Sequence, residues 1–263
     1  MSDIPRLVGM IHLLPLPGAP RFGGSMDEVI STAAADARDL ADAGFPALMI
    51  ENFGDTPFFA DDVPPETIAS MTVALQVIAE QATLPFGVNV LRNDARSAIA
   101  VAAATGARFV RVNVLTGMMH TDQGPIVGRA AEVHRARRSL CPDVEIWADV
   151  MVKHATPPPG ADVRQMAADT VERGLADAVI VSGSGTGAEP DIHEASLVLS
   201  AIPDSTRLVI GSGATASNLS RLIDIADSVI VGSSIKVDGL ASNRVDPSRG
   251  AAFVEVASRH GLI

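Results

Sequence analysis

Short apolar runs rich in Val, Ile and Leu recur along the chain at residues 7–11, 47–50, 86–91, 109–114, 144–150, 178–181, 208–210 and 228–231. None alternates strictly between apolar and polar positions, as expected of strands buried on both faces of a parallel sheet. Helix-compatible segments separate the runs. Residues 26–43 stop at Gly44 with Pro46 beyond, 94–105 stop at Gly106, and 162–173 stop at Gly174. Glycine just past a helix readily takes the left-handed conformation that closes the last turn. Ala-rich stretches at 33–35, 102–104 and 167–168 allow close approach of helix to sheet. Eight such repeats in 263 residues predict an α/β fold, a (β/α)8 TIM barrel, with a doubly wound sheet as the alternative. Pro157-Pro158-Pro159-Gly160 falls inside the fifth repeat and no linker divides the chain, so residues 1–263 read as one domain.

Composition narrows the function classes. A formal charge of -11, from 20 Lys+Arg against 31 Asp+Glu, disfavours nucleic acid, which is bound largely through phosphate neutralisation. Aromatic content of 3% offers no base-stacking platform. A single cysteine, Cys141, excludes an internal disulfide and a cysteine zinc cluster. Met1-Ser2-Asp3-Ile4-Pro5-Arg6 has no leader pattern, and no apolar run approaches the ~18 residues of a membrane span. The expectation is a cytoplasmic protein with neither a membrane span nor a nucleic-acid partner, and a homo-oligomer, as barrels of this size often are.

Chemistry concentrates where strands should end. The seventh run leads into Gly211-Ser212-Gly213, with Thr215 and Ser217 opening the next helix, and the eighth leads into Gly232-Ser233-Ser234. In TIM barrels phosphate often sits on the loops after strands seven and eight, where glycine exposes backbone N–H groups and serine adds donors. A phosphate held this way suits an acidic chain, with Arg92, Arg111, Lys153 or Lys236 as local exceptions. A third loop, Ser182-Gly183-Ser184-Gly185-Thr186-Gly187, fits no P-loop or dinucleotide fingerprint; Thr186 is assigned to substrate.

Polar residues also end the other runs: His12, Glu51 and Asn52, Asn89 with Arg92 and Asn93 beyond it, Arg111 and Asn113, and Asp149 followed by Lys153 and His154. Buried polar groups are costly unless paired or used, so this ring reads as a site. Glu51, Asp149, Lys153 and His154 are the candidate proton-transfer residues, with Lys153 also a possible Schiff-base amine. His12, Asn52, Asn89, Arg92, Arg111 and Asn113 are the candidate substrate ligands. His120, near Asp122, reads as a lid residue, and His134, His193 and His260 as surface helix residues. No His-x-His or His-x-x-x-His pair exists, so no metal and no cofactor is assigned. Asp149 and Glu51 could jointly hold Mg²⁺ beside a phosphate, although nothing in their spacing demands it.

Together, Gly9-Met10-Ile11-His12-Leu13, Glu51-Asn52-Phe53-Gly54-Asp55, Asn89-Val90-Leu91-Arg92-Asn93-Asp94, Arg111-Val112-Asn113, Thr121-Asp122-Gln123-Gly124, Ala148-Asp149-Val150 with Lys153-His154, and Val231-Gly232-Ser233-Ser234-Ile235-Lys236 resemble the BtpA (BtpA/SgcQ) family over nearly the whole chain. One departure is Ser182, where the family usually has Thr; the hydroxyl is kept. The resemblance implies a phosphate-binding TIM barrel of the ribulose-phosphate-binding kind. It implies either an enzyme, since bacterial relatives sit beside sugar-metabolism genes, or a biogenesis factor for a membrane complex such as photosystem I, the role associated with the founding member. The residues favour an enzyme on a phosphorylated sugar or nucleoside, of isomerase, lyase or nucleosidase type. A flavin enzyme is a further reading, because such barrels also hold FMN.

Overall fold

The computed structural model describes residues 4–183 and 185–263; the readings made above on Met1, Ser2, Asp3 and Ser184 fall outside them. In chain order the strands are β1 (Leu7–His12), β2 (Leu48–Glu51), β3 (Phe86–Asn89), β4 (Phe109–Val112), β5 (Met118–Thr121), β6 (Gly124–Val127), β7 (Glu145–Met151), β8 (Ala155–Thr156), β9 (Ala178–Val181), β10 (Arg207–Ile210) and β11 (Ser228–Val231). The helices are α1 (Met26–Ala43), α2 (Pro65–Gln81), α3 (Ala95–Thr105), α4 (Ala130–Leu140), α5 (Val163–Ala168), α6 (Ile192–Leu199), α7 (Leu219–Ile223) and α8 (Pro247–Arg259). Strands β1, β2, β3, β4, β7, β9, β10 and β11 close in that order into a parallel barrel, with β11 returning to β1. Each apolar run of the sequence becomes one of these strands. Strands β5, β6 and β8 form a separate antiparallel sheet that periodicity did not predict.

Helix ends follow local chemistry. Ser25 accepts a hydrogen bond from the Glu28 N–H at the start of α1, and Gly44 ends it at φ 95°. Asp94 and Gly106 bracket α3 in the same way. Gly174 is different. After α5 the chain makes a π turn, Asp169–Arg173, and Gly174 has φ -81°. A side chain there would meet Thr170 O at 2.5 Å, so Gly174 serves close packing and not a left-handed cap.

Residues alternate across each strand, so the barrel interior takes every second position. Val8, Met10, Ala47, Met49, Phe109, Trp147, Ala178, Ile180, Val209 and Ile230 form that interior cluster, joined by Ile4 from the segment before β1. The Phe109 and Trp147 rings stack with centroids 4.2 Å apart. Gly87 makes room for them, since a Cβ would lie 2.4 Å from the Phe109 ring. The outward positions join the helices in a second, larger core. Two residues further along each strand the interior changes character. Met10 is followed on the same face by His12, Met49 by Glu51, Gly87 by Asn89, Phe109 by Arg111, Trp147 by Asp149 and Ile180 by Ser182. A packed apolar plug therefore carries a polar layer at the C-terminal end of the barrel.

Candidate functional site at the barrel mouth

Register brings the polar layer together: His12 lies opposite Glu51, and Glu51 opposite Asn89. Glu51 Oε2 accepts from Asn89 Nδ2 at 2.7 Å, and its Oε1 lies 3.9 Å from His12 Nε2. Burial alone would raise the Glu51 carboxyl. The charges of Lys153 and Arg111, with the Asn89 hydrogen bond, outweigh it and hold the group below the ordinary carboxylate range. Glu51 is therefore ionised although only 1% exposed.

His12 donates from Nδ1 to Ala241 O at 2.7 Å, which leaves Nε2 as a lone pair toward Glu51. Burial pushes the His12 imidazole down to about 4 against the attraction of Glu51, so it is neutral at pH 7. Ala241 is delivered by the segment after β11, pinned to α1 at Asp36, which accepts from Lys236 Nζ at 3.1 Å, Arg244 Nε at 3.2 Å and Val245 N at 3.0 Å. Lys236, suggested by sequence as a phosphate ligand, is thus consumed by this anchor.

Arg111 is consumed too. Its Nε and one terminal nitrogen fork onto Asp149 at 2.9 and 2.8 Å, and both side chains are fully buried. Asp149 also accepts from Asn113 Nδ2 at 3.3 Å and Ser182 Oγ at 3.4 Å. With its oxygens engaged in this way, Asp149 orients the layer and is poorly placed to take a proton. Asn113 Oδ1 is buried with no partner among the described residues. Asn52 turns away from the mouth: it accepts from Leu91 N at 2.7 Å and donates to Asp55 at 3.0 Å, tying the loops after β2 and β3 together.

Above the layer, a narrow pocket gathers His12, Lys153, Thr186, Gly211, Ser212, Gly213, Gly232 and Ser233. Ser212 Oγ is buried and makes no hydrogen bond among the described residues. Nor do the backbone N–H groups of Ser212, Gly232 and Ser233. Ser234 is different, its hydroxyl donating to Ala214 O at 2.7 Å. Lys153 is 9% exposed; burial lowers its pKa, with Glu51 and Asp149 opposing and Arg111 and Arg92 reinforcing the shift. At the rim, His154 Nε2 accepts from Thr186 N at 3.2 Å. A second cavity of about 260 Å³ is lined by Thr56, Phe58, Arg92, Asp122 and His154. A larger one of about 420 Å³, behind Phe58, holds neither Lys153 nor a phosphate-loop residue.

Sequence reasoning missed the Ala241 carbonyl, which carries no side-chain signal, and Phe53, whose ring stacks on His12 at 4.4 Å. His120 lies on β5, in the small sheet, and His134 is half-buried with its ring on Gly174 O at 2.6 Å, not on the open surface. No group of three or more His, Cys, Asp or Glu is gathered for a metal among the described residues.

Residues 5–259 match the family model described as the BtpA family. A Synechocystis protein named "Photosystem I biogenesis protein BtpA" is 45% identical over 256 residues, covering 97% of this chain and 88% of that protein. An uncharacterised protein of Thermococcus kodakarensis is 46% identical over 255 residues, 95% of this chain and 94% of that one. Among solved structures, a Mycobacterium tuberculosis tryptophan synthase chain superposes with TM-score 0.62 at 18% identity, covering 97% and 92%, a likeness of fold alone. No helix among the described residues is long and apolar enough to cross a membrane.

Proposed function

The chain belongs to the BtpA family, and on the geometry of its barrel mouth we propose that it is an enzyme acting on a phosphorylated sugar or nucleoside. The observation that carries this is the pocket shared by Lys153, His12, Ser212, Gly232 and Ser233, where a buried hydroxyl, free backbone N–H groups and an ammonium converge. These are the donors a phosphate needs. The pocket encloses only about 20 Å³, scarcely more than the ~10–15 Å³ one water requires. Phosphate entry therefore displaces the rim around Thr186 and Gly187.

Glu51 is the base. It is ionised and buried, held by the Asn89 hydrogen bond, with neutral His12, which lines the pocket, 3.9 Å away. A carbon acid or a water above it would give up its proton to Glu51, and Lys153 would stabilise the anion that forms. That division of labour serves isomerisation, carbon–carbon cleavage or glycosidic-bond hydrolysis. Asp149 and Arg111 position the layer, and Asn113 offers its free Oδ1 to a ligand hydroxyl.

The test is thermal shift and calorimetry with ribose 5-phosphate, glucose 6-phosphate and AMP. At least one raises the melting temperature, and Ser212→Ala weakens its binding by about tenfold, the worth of one hydrogen bond to a charged group. Silence across the panel at millimolar ligand would sink the reading.

The name of the Synechocystis relative supports a second reading, a non-catalytic assembly factor for a membrane complex. The converging donors of the narrow pocket, a buried hydroxyl, free backbone N–H groups and an ammonium, favour the enzyme reading. Co-purification of the chain with a membrane complex, and no response to phosphates, would reverse that preference.

A further inference from the structure

Among the described residues, two cations are buried at the barrel mouth without an ion pair. Arg111 has its fork on Asp149 and Lys236 has Asp36. Lys153, 9% exposed, makes neither an ion pair nor a side-chain hydrogen bond among the described residues. The Arg92 side chain, 4% exposed, makes one hydrogen bond among the described residues, to Lys153 O at 2.5 Å, and no ion pair. In the polar layer three cations, Arg92, Arg111 and Lys153, face two carboxylates, Glu51 and Asp149. This local excess of positive charge lies inside a chain of net charge -11. A buried guanidinium with most of its donors unused is costly unless something outside the chain pairs with it.

The two unpaired cations serve different cavities. Lys153 lines the narrow phosphate pocket. Arg92 lines the neighbouring cavity of about 260 Å³ with Thr56, Phe58, His154 and Asp122. His154 lies between them, next to Lys153 in sequence and bonded to Thr186 of the phosphate pocket. Asp122 is exposed, its carboxylate taking a hydrogen bond from Gln123, so it marks the rim of the cavity and not its floor.

We infer that the ligand carries a second anionic group, a carboxylate or a second phosphate, bound by Arg92 at the end remote from the phosphate held by the β10 and β11 loops. This rests on the phosphate reading proposed above. The reacting carbon then lies between the two anions, over Glu51. The planar guanidinium fork suits a carboxylate or phosphate in bidentate contact.

Two matched pairs of probes test this by calorimetry: 6-phosphogluconate against glucose 6-phosphate, and fructose 1,6-bisphosphate against fructose 6-phosphate. In the native protein at least one doubly anionic probe binds about tenfold tighter than its partner, as one charge-assisted contact gives. Which pair shows the gap tells carboxylate from phosphate. Arg92→Gln closes the gap: in that variant the doubly anionic probe binds no tighter than its monophosphate partner, a ratio that cancels any change in the shared phosphate contact made through Lys153. Asp122→Asn, at the exposed rim, widens it by about twofold, the scale of an exposed charge pair, and stands as a check if the Arg92 variant fails to fold. Equal affinities within both pairs, with the monophosphates binding measurably, overturn the second-anion inference and leave the phosphate reading standing. If none of the four probes binds, the phosphate reading itself fails.

Discussion

His12 couples the barrel mouth to pH through one hydrogen bond. Its Nδ1 proton is committed to Ala241 O and its ring is buried, so the folded protein keeps it neutral down to about 4. The unfolded chain protonates the same imidazole near its ordinary 6.5. Between these values the unfolded state binds more protons, so stability falls as pH falls through 6.5 toward 4. Glu51 acts in the same direction in a lower window, since its folded pKa is held below 4.5 and its contribution fades only beneath that value. Urea unfolding at about pH 7 and about pH 5 separates the two. The native chain should lose roughly 2 kcal/mol between them from His12 alone. His12→Asn, which keeps a donor for Ala241, should lose measurably less over the same interval. An identical pH slope in both proteins would show that His12 is not the titrating group.

At the scale of loops and strands, glycines that look alike in sequence have different work. Gly213 has φ +76°, and a Cβ there would lie 2.0 Å from Ala188 O, so it is required for the β9 loop to pack on the β10 loop. Gly232 has φ -116°, and a Cβ would meet the His12 and Met10 side chains at ordinary distances of 3.7 Å and beyond. Gly213→Ala should therefore destabilise the fold by more than 1 kcal/mol or so. Gly232→Ala should leave the melting temperature within a degree or two while its methyl, at the mouth of the pocket, weakens phosphate binding several-fold. Comparable losses of stability in both would mean that the two loops are simply turns. The contrast also marks what sequence can reveal. The eight barrel strands were legible because each is a run of β-branched and aliphatic residues buried on both faces. The polar ring was legible because Glu51, Arg111 and Asp149 interrupt such runs. What Gly213 and Gly174 do was not, because it depends on carbonyls brought near by tertiary packing. The small β5–β6–β8 sheet was hidden for a related reason: its strands are short, and one contains Pro125. The roles of Asp149 and Lys236 needed distances, since a carboxylate locked onto Arg111 and one free to take a proton read identically in a sequence.

At the scale of the molecule, the barrel is closed by its most distant segments. Leu7 pairs with Val229, Val8 with Ile230, and Gly9 with Val231. Arg6 Nε also donates to Asp227 O at 2.6 Å. The interior cluster draws on residues from Ile4 to Ile230, so neither half of the sequence holds a complete apolar plug. Chains of this length commonly unfold through intermediates, but here a half-barrel would expose the inner face of every strand it kept. We therefore expect one cooperative transition, as a single domain requires. The chain supplies its own probe. Trp147 is its one tryptophan, the chain has no tyrosine, and the indole is 0% exposed, stacked on Phe109 at the centre of the barrel. Indole fluorescence thus reports the plug, while far-ultraviolet circular dichroism is dominated by the surrounding helices. In guanidinium titration the two curves should coincide in midpoint and slope. A fluorescence transition at lower denaturant than the loss of helix would mean that the plug opens while the helical shell persists, and that the polar layer resting on it is a separable unit.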